Sequence, residues 1–180
     1  VIDDLKKYDV NIAYVTPSHQ FPTGAIMSIS RRTELLNWAN ENPDRYIVED
    51  DYDSEFKYTG RPIPALKAND INDKVIYLGS FSKSISPAIR VSYLVLPKAL
   101  LNIYQRELPY FICPVPTLNQ KILYRFIKDG YFVKHINKMR TLYKKKREFL
   151  VNTIKAYSSK ILNKEIQIQG ADAGLHMVIK

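Results

Sequence analysis

One lysine stands in a row of hydroxyls. In Leu78-Gly79-Ser80-Phe81-Ser82-Lys83-Ser84-Ile85-Ser86-Pro87-Ala88-Ile89-Arg90 a single amine, Lys83, is flanked by serines, and an arginine follows seven residues later. A lysine with a lowered pKa can form a Schiff base with an aldehyde. Ser80, Ser82 and Arg90 are residue types that hold a phosphate, through hydroxyl donors and a planar charged fork. An aldehyde and a phosphate on one small molecule suggest pyridoxal 5'-phosphate, with Lys83 bonded to its aldehyde. The segment alone reads equally as a polar loop with a solvated lysine.

A second stretch weighs on that choice. Tyr46-Ile47-Val48-Glu49-Asp50-Asp51-Tyr52-Asp53-Ser54-Glu55-Phe56 is an apolar strand running into a carboxylate-rich loop. A pyridinium nitrogen keeps its proton beside an anion, and Asp50 at the strand end fits that role. Tyr52, two residues on, can point the same way and donate to the ring's phenolic oxygen. The alternative is an acidic turn that is solvated or binds metal. Metal is disfavoured because no histidine lies nearby in sequence and the apolar strand suits a sheet, so no metal ligands are assigned.

With these residues in view, the chain resembles the aminotransferase-like domain of MocR-type, GntR-family bacterial transcription regulators. The resemblance is carried by Tyr14-Val-Thr-Pro-Ser-His-Gln-Phe-Pro-Thr-Gly24, Arg31-Arg32 leading to Asn37-Trp38, Glu49-Asp-Asp-Tyr-Asp-Ser-Glu-Phe56, Ser80-Phe-Ser-Lys83 with Arg90, and Gly170-Ala-Asp-Ala-Gly-Leu-His176. It covers nearly the whole chain. It implies the fold type I of pyridoxal-phosphate enzymes, with Lys83 forming the internal aldimine, Asp50 at the pyridine nitrogen, Tyr52 at the ring oxygen, and Ser80, Ser82 and Arg90 around the phosphate. Phe21 stands where ordinary aminotransferases place an asparagine. His19 is a further candidate for contact with the cofactor or with neighbouring loops.

The resemblance also implies a longer protein. Relatives carry an N-terminal winged-helix module that binds DNA, a linker, and the first part of the cofactor domain, with a phosphate-contacting loop and an aromatic that stacks on the ring. The arginine that relatives use for a substrate carboxylate is expected after Lys180. The chain starts at Val1 rather than methionine, which agrees with a piece of something larger. The family habit is a homodimer in the cytoplasm.

Composition sets outer bounds. The 180 residues are 46 % hydrophobic, enough for one core of ordinary domain size. A single cysteine, Cys113, excludes an internal disulfide framework and suits a reducing compartment. No run approaches the ~18 apolar residues of a membrane span, and no signal-peptide pattern opens the chain. Residues 1–90 carry 11 basic and 13 acidic side chains, a net of −2, while residues 91–180 carry 16 and 5, a net of +11. That asymmetry suits a polyanionic partner or a lysine-rich solvated surface.

The elements that must position these residues follow from periodicity. Val1–Tyr8 reads as the tail of a helix and Asn11–Val15 as a short strand; the loop 16–24 is fixed by two prolines and a glycine. Ser28 or Ser30 can cap a helix over Arg31–Asn40, with Leu35, Leu36, Trp38 and Ala39 as its apolar stripe. Strands follow at Tyr46–Glu49 and Val75–Leu78, with a short helical turn at Pro64–Lys67 between them. Strand, helix and strand in this order predict a parallel sheet. Val91–Leu96 reads as a strand buried on both faces, which the resemblance makes antiparallel. A helix runs from Pro97 to about Tyr110; Thr117 can cap another over Leu118–Lys128, whose inner face is Ile122, Leu123, Phe126 and Ile127. Tyr131–Tyr157 reads as one long helix or two joined end to end, with Phe132, Ile136, Met139, Tyr143, Leu150 and Ile154 recurring on one side. Its other residues include Lys134, Lys138, Arg140, Lys144, Lys145, Lys146 and Arg147, a basic face that can lie along a phosphate backbone or simply be wet. Glu165–Gln169 and Leu175–Ile179 read as two strands joined by a turn.

The predicted fold class is therefore α/β: a mostly parallel sheet with helices on both faces, a long bridging helix, and the start of a small α+β domain. Residues 1–130 are expected to belong to the large cofactor domain and 131–180 to the bridging helix and the beginning of the small one. The function these features favour is effector sensing, with an amine, an amino acid or pyridoxal phosphate itself as the signal. The same residues also serve a working class I/II aminotransferase. An inert nucleic-acid-binding fragment explains the charge of the second half and leaves the lysine and aspartate motifs unexplained.

Overall fold

The computed structural model describes residues 2–61, 63–159 and 166–180. A short helix α1 (Ile2–Lys7) leads into strand β1 (Ile12–Val15), helix α2 (Ile29–Asn40) and strand β2 (Tyr46–Asp51). Strand β3 (Val75–Ser80) runs into the one-turn helix α3 (Phe81–Ser84) and then β4 (Ser92–Val95). Helices α4 (Lys98–Glu107), α5 (Thr117–Lys128) and α6 (Tyr131–Tyr157) follow, and a two-stranded pair, β5 (Ile168–Gln169) and β6 (Val178–Ile179), closes the chain.

The main sheet has the order β1-β2-β3-β4. Its first three strands are parallel and β4 is antiparallel to β3, so the architecture is α/β with a mixed, mostly parallel sheet. One sheet face carries the core. Ala13, Ile47 and Val75 from the strands pack with Leu35, Trp38 and Ala39 of α2 and with Leu66. Ser28 caps α2, its hydroxyl accepting from Arg31 N–H, and Glu41 ends the helix before Pro43.

Buried charges tie the loops to this core. The guanidinium of Arg32, 2 % exposed, donates to the carbonyls of Met27 (3.1 Å), Pro64 (2.8 Å) and Pro17 (2.8 Å), which fixes the loop that follows β1. Glu49, wholly buried, accepts from the N–H groups of Leu66 and Lys67. A carboxylate at the start of a turn satisfies donors the turn itself leaves open. The helical turn therefore sits at Lys67–Asn69, slightly after the Pro64–Lys67 expected from sequence. Burial pushes the Glu49 carboxyl up, and the two backbone N–H groups hold it down.

Several expectations need correction. Among the described residues β4 is the outer strand, paired on one side only, and Tyr93, Leu94 and Val95 are 40–47 % exposed rather than buried on both faces. Thr117 is the first residue of α5 and caps nothing, because Pro116 occupies the N-cap position. Of the four residues assigned to the inner face of α5, Ile122 and Ile127 are exposed and Leu123 is buried. Tyr131–Tyr157 needs no correction: of the two readings it is the one long helix, 27 residues started after Gly130 in the left-handed region (φ 79°). The expected strand at Glu165–Gln169 shrinks to Ile168–Gln169, and Glu165 lies outside the described residues. The strand expected at Leu175–Ile179 shrinks to Val178–Ile179, because the preceding turn is bonded elsewhere: Gly174 N–H donates to the Phe56 carbonyl at 2.7 Å and Leu175 N–H to Asp53 at 3.0 Å.

Candidate functional site

The ends of the parallel strands build the site. In open α/β sheets, ligands bind beyond the carboxyl ends of the strands. There a cavity of about 420 Å³ is lined by Tyr14 of β1, Thr16, Gln20 and Phe21 of the following loop, Asp50 at the end of β2, Tyr52, and Lys83. Asp50 and Lys83, 33 residues apart in sequence, thus face one space.

Alternation along β2 explains the assignment of each acid. Ile47, Glu49 and Asp51 point to the buried side, and Asp50 points to the other. Asp51 accepts from Ser54 Oγ (2.6 Å), Ser54 N–H (3.2 Å) and Tyr77 Oη (2.8 Å). Burial together with Asp51 raises the Tyr77 phenol far above its ordinary value. The acidic run is neither a solvated turn nor a set of equivalent ligands: Glu49 caps a turn, Asp51 binds Ser54 and Tyr77, Asp53 holds the next loop, and Asp50 alone lines the cavity.

Lys83 reaches the cavity from α3. Ser80 is the N-cap of that turn, its hydroxyl accepting from Ser82 N–H at 3.2 Å. The residue before it, Gly79, faces Tyr93 across the β3–β4 pair, and a Cβ there would clash with Cζ at the hydroxyl end of the Tyr93 ring. The Lys83 ammonium lies 4.1 Å from the centroid of the Tyr52 ring and makes no hydrogen bond or ion pair among the described residues. Phe81 N–H donates to the Val91 carbonyl at 3.0 Å, which brings Arg90 beside the Ser80–Ser82 turn. Arg90 is exposed with a φ of 49°. Ser80, Ser82 and Arg90 do not line the cavity shared by Asp50 and Lys83.

Tyr52 and His19 behave differently from the sequence reading. The Tyr52 hydroxyl donates to the His19 carbonyl at 2.6 Å, so a bond to a ligand's ring oxygen requires giving that one up. Burial and the neighbouring Asp53, Asp50 and Asp51 raise its pKa, and it stays a neutral donor. His19 is 1 % exposed and lies outside the cavity. Its Nδ1 meets Asp53 Oδ2 at 3.0 Å, its Nε2 meets the Gly170 carbonyl at 3.2 Å, and its ring centroid is 3.9 Å from that of His176. Gly24 and Gly170 pack backbone to backbone, both with positive φ, and a Cβ on either would clash with the other. His19 thus pins three loops together: 16–24, 51–56 and 170–176. His19, Asp53 and His176 also bring potential metal-ligand atoms within 4.8 Å of one another. Asp53 Oδ2 already receives both His19 and Leu175 N–H, which accounts for the cluster as a hydrogen-bonded latch.

Tyr14 is the residue that sequence reasoning left without a role. Its hydroxyl donates to Asp50 Oδ2. The signal was in the alternation: in the β1–β2 register Tyr14 pairs with Val48, on the same sheet face as Asp50. The hydrogen bond to Asp50, then burial and the Asp50 charge, push its phenol up to about 12. Of the 13 tyrosines, the one whose phenolate signal is removed by Tyr14→Phe is therefore expected to titrate near pH 12 by ultraviolet difference absorbance, against about 10 for a free phenol. Asp50→Asn should bring it down toward the ordinary value; an unmoved titration would mean that Asp50 is not its partner. The folded-state pKa lies above the unfolded one, so this bond's contribution to stability is full below pH about 10 and is lost as the pH rises through about 12.

The residues present fit a pyridoxal-type cofactor: an anion and an unpaired primary amine share a cavity within the ~300–1,000 Å³ usual for small-molecule sites. Residues 2–178 match the family model for aminotransferase class I and II.

The chain belongs to the class I and II aminotransferase family.

This aminotransferase-family domain is 43 % identical over 178 residues to YdeL, an uncharacterized HTH-type transcriptional regulator of Bacillus subtilis, covering 99 % of the chain and 37 % of the regulator. It is 35 % identical to MocR of Rhizobium meliloti, a probable rhizopine catabolism regulatory protein, covering 99 % of the chain and 35 % of that protein. Among solved structures it resembles the multiple substrate aminotransferase of Thermococcus profundus, with a TM-score of 0.83, 30 % identity, and coverage of 99 % of this chain and 43 % of the enzyme. The chain therefore spans about a third of the length of these curated relatives. The family and the regulator-type relatives agree with the resemblance read from the motifs. The fold family is pyridoxal-phosphate dependent. No described helix is long and apolar enough to cross a membrane.

Proposed function

We propose that this domain holds pyridoxal 5'-phosphate with Lys83 as its covalent anchor, and that it is the effector-sensing part of a MocR-type, GntR-family transcription regulator. The observation that supports this reading is the single cavity in which Lys83 and Asp50 meet. When bound, the cofactor supplies an aldehyde that takes up amines and a ring that withdraws electrons. Asp50 keeps a proton on the ring nitrogen, and Tyr14 holds the Asp50 carboxylate in place. Tyr52 borders the amine. Ser80, Ser82 and Arg90, near Lys83 in the chain but outside the lining of that cavity, would offer a phosphate two hydroxyls and a guanidinium, and His19 supports the wall from behind. Residues 1–130 form part of the large domain, and 131–180 form the bridging helix and the start of the small one.

The effector is a small amine, an amino acid or pyridoxal phosphate itself. An amine competes with Lys83, which no hydrogen bond or ion pair among the described residues restrains. Such a ligand shifts the protein between two arrangements only by its difference in affinity for them. An N-terminal winged-helix module of a longer chain would carry the change to DNA, in a cytoplasmic homodimer. Of the basic residues on α6, Arg140 is bonded to the Glu55 carbonyl and Arg147 to Asp172, which leaves the six lysines as the exposed charge for any DNA backbone contact.

The test is operator binding by the full-length protein, read by fluorescence anisotropy with and without pyridoxal phosphate and a panel of amines. An effector is expected to change DNA affinity by about 5- to 150-fold, and Lys83→Ala should remove that response. DNA binding indifferent to cofactor and amines would sink the sensing role. The likeness to the Thermococcus enzyme supports a second reading, a class I/II aminotransferase acting on an amino acid or amine. Repeated turnover of an amino donor and an oxo-acid acceptor would favour that reading instead.

A further inference from the structure

A second cavity, of about 350 Å³, lies between α6 and the 171–177 turn, away from the strand ends. Its apolar side is formed by Leu150 and Met177. Tyr58 and Tyr143 add ring faces, and Lys146 and Arg147 bring two positive charges to it. The cofactor cavity and this one share no lining residue.

We propose that this cavity binds a small monocarboxylate with an apolar body. Arg147 has five N–H donors, yet its only hydrogen-bond or ion-pair partner among the described residues is Asp172, at 3.4 Å, whose side chain is 65 % exposed. Arg147 Nε is enclosed without a hydrogen-bond partner, and so is Nε2 of His176, which also borders the cavity. Enclosed polar atoms almost always have a partner, and a bound group is one way to supply it. A carboxylate matches the guanidinium fork. Asp172 offsets one of the two cations, so the remaining single positive charge suits a monoanion better than a dianion. The Tyr58 phenol, pushed up to about 12 mainly by burial, stays protonated and can donate to the same group. The body of the ligand would rest on Leu150, Met177 and the tyrosine rings.

This site is independent of the cofactor reading, and the probe separates them. Benzoate and its neutral analogue benzamide are titrated calorimetrically into full-length protein saturated with pyridoxal phosphate. Benzoate is expected to bind about tenfold or more tightly than benzamide, and Arg147→Gln should weaken benzoate by a similar factor. Leu150→Trp, which fills the cavity at a half-exposed position, should abolish binding even if Arg147→Gln proves poorly folded. The proposal is overturned by no benzoate binding, by equal binding of benzamide, by benzoate binding that survives both substitutions, or by displacement of benzoate on raising pyridoxal phosphate. None of these results bears on whether Lys83 carries the cofactor.

Discussion

In the full-length protein, Lys83→Ala is expected to abolish the violet absorption band that the wild type gains with pyridoxal phosphate. The effect should be all or none, because the band requires a covalent link to an amine and, among the described residues, Lys83 is the only lysine lining the cavity that Asp50 faces. Other lysines of the sheet region are engaged. Lys67 is paired with Asp70 at 3.3 Å and Asp73 at 2.8 Å, and Lys74 donates to the carbonyls of Asn42 and Pro43. The substitution should leave the fold intact, since Lys83 is exposed and surface changes of this kind usually cost within about 0.5 kcal/mol. Loss of the band would therefore report chemistry rather than unfolding. A band of unchanged height in the variant would remove Lys83 from its role.

Asp53→Ala should cost the full-length protein roughly 2–6 kcal/mol of stability, about 1–3 kcal/mol for each of the two enclosed nitrogens it leaves without an acceptor. Asp53 and His19 are each 1 % exposed. One carboxylate oxygen takes both His19 Nδ1 and Leu175 N–H at 3.0 Å, so its loss leaves two enclosed nitrogens without an acceptor. The damage should spread to the docking of the 170–176 turn, where Gly170 and Gly174 pack too closely on Gly24 and His19 to admit a side chain. Asp53→Asn keeps an acceptor and should lose less, about 1–3 kcal/mol. Chemical denaturation measures both. A shift under about 1 kcal/mol for Asp53→Ala would mean that the three loops are held by other contacts.

How much was legible in the sequence depends on the range of the interaction. The strands at 46–49 and 75–78 and the 131–157 helix follow from local periodicity, the antiparallel return after the lysine loop follows from the family resemblance, and the structure has them within a residue or two. Asp50 and Lys83 could be paired before any coordinates because each sits at the end of a strand, and parallel neighbours present their ends to the same side. Contacts set by packing were harder to foresee. Nothing local indicates that the Tyr52 hydroxyl is taken by the His19 carbonyl or that His19 faces Asp53 and Gly170 instead of a ligand. The exposure of β4 is likewise a matter of which neighbours cover a strand, and its composition does not record them. Arg147 was read as one charge in a basic helix face; only the fold brings Asp172 and Tyr58 to it.

The central claim is that one amine at the mouth of the sheet carries the cofactor. Reducing full-length protein with sodium borohydride in the presence of pyridoxal phosphate, then mapping its peptides by mass spectrometry, tests it most directly. The phosphopyridoxyl mass is predicted on the peptide that contains Lys83. Its appearance on another lysine, or on none, would contradict the account.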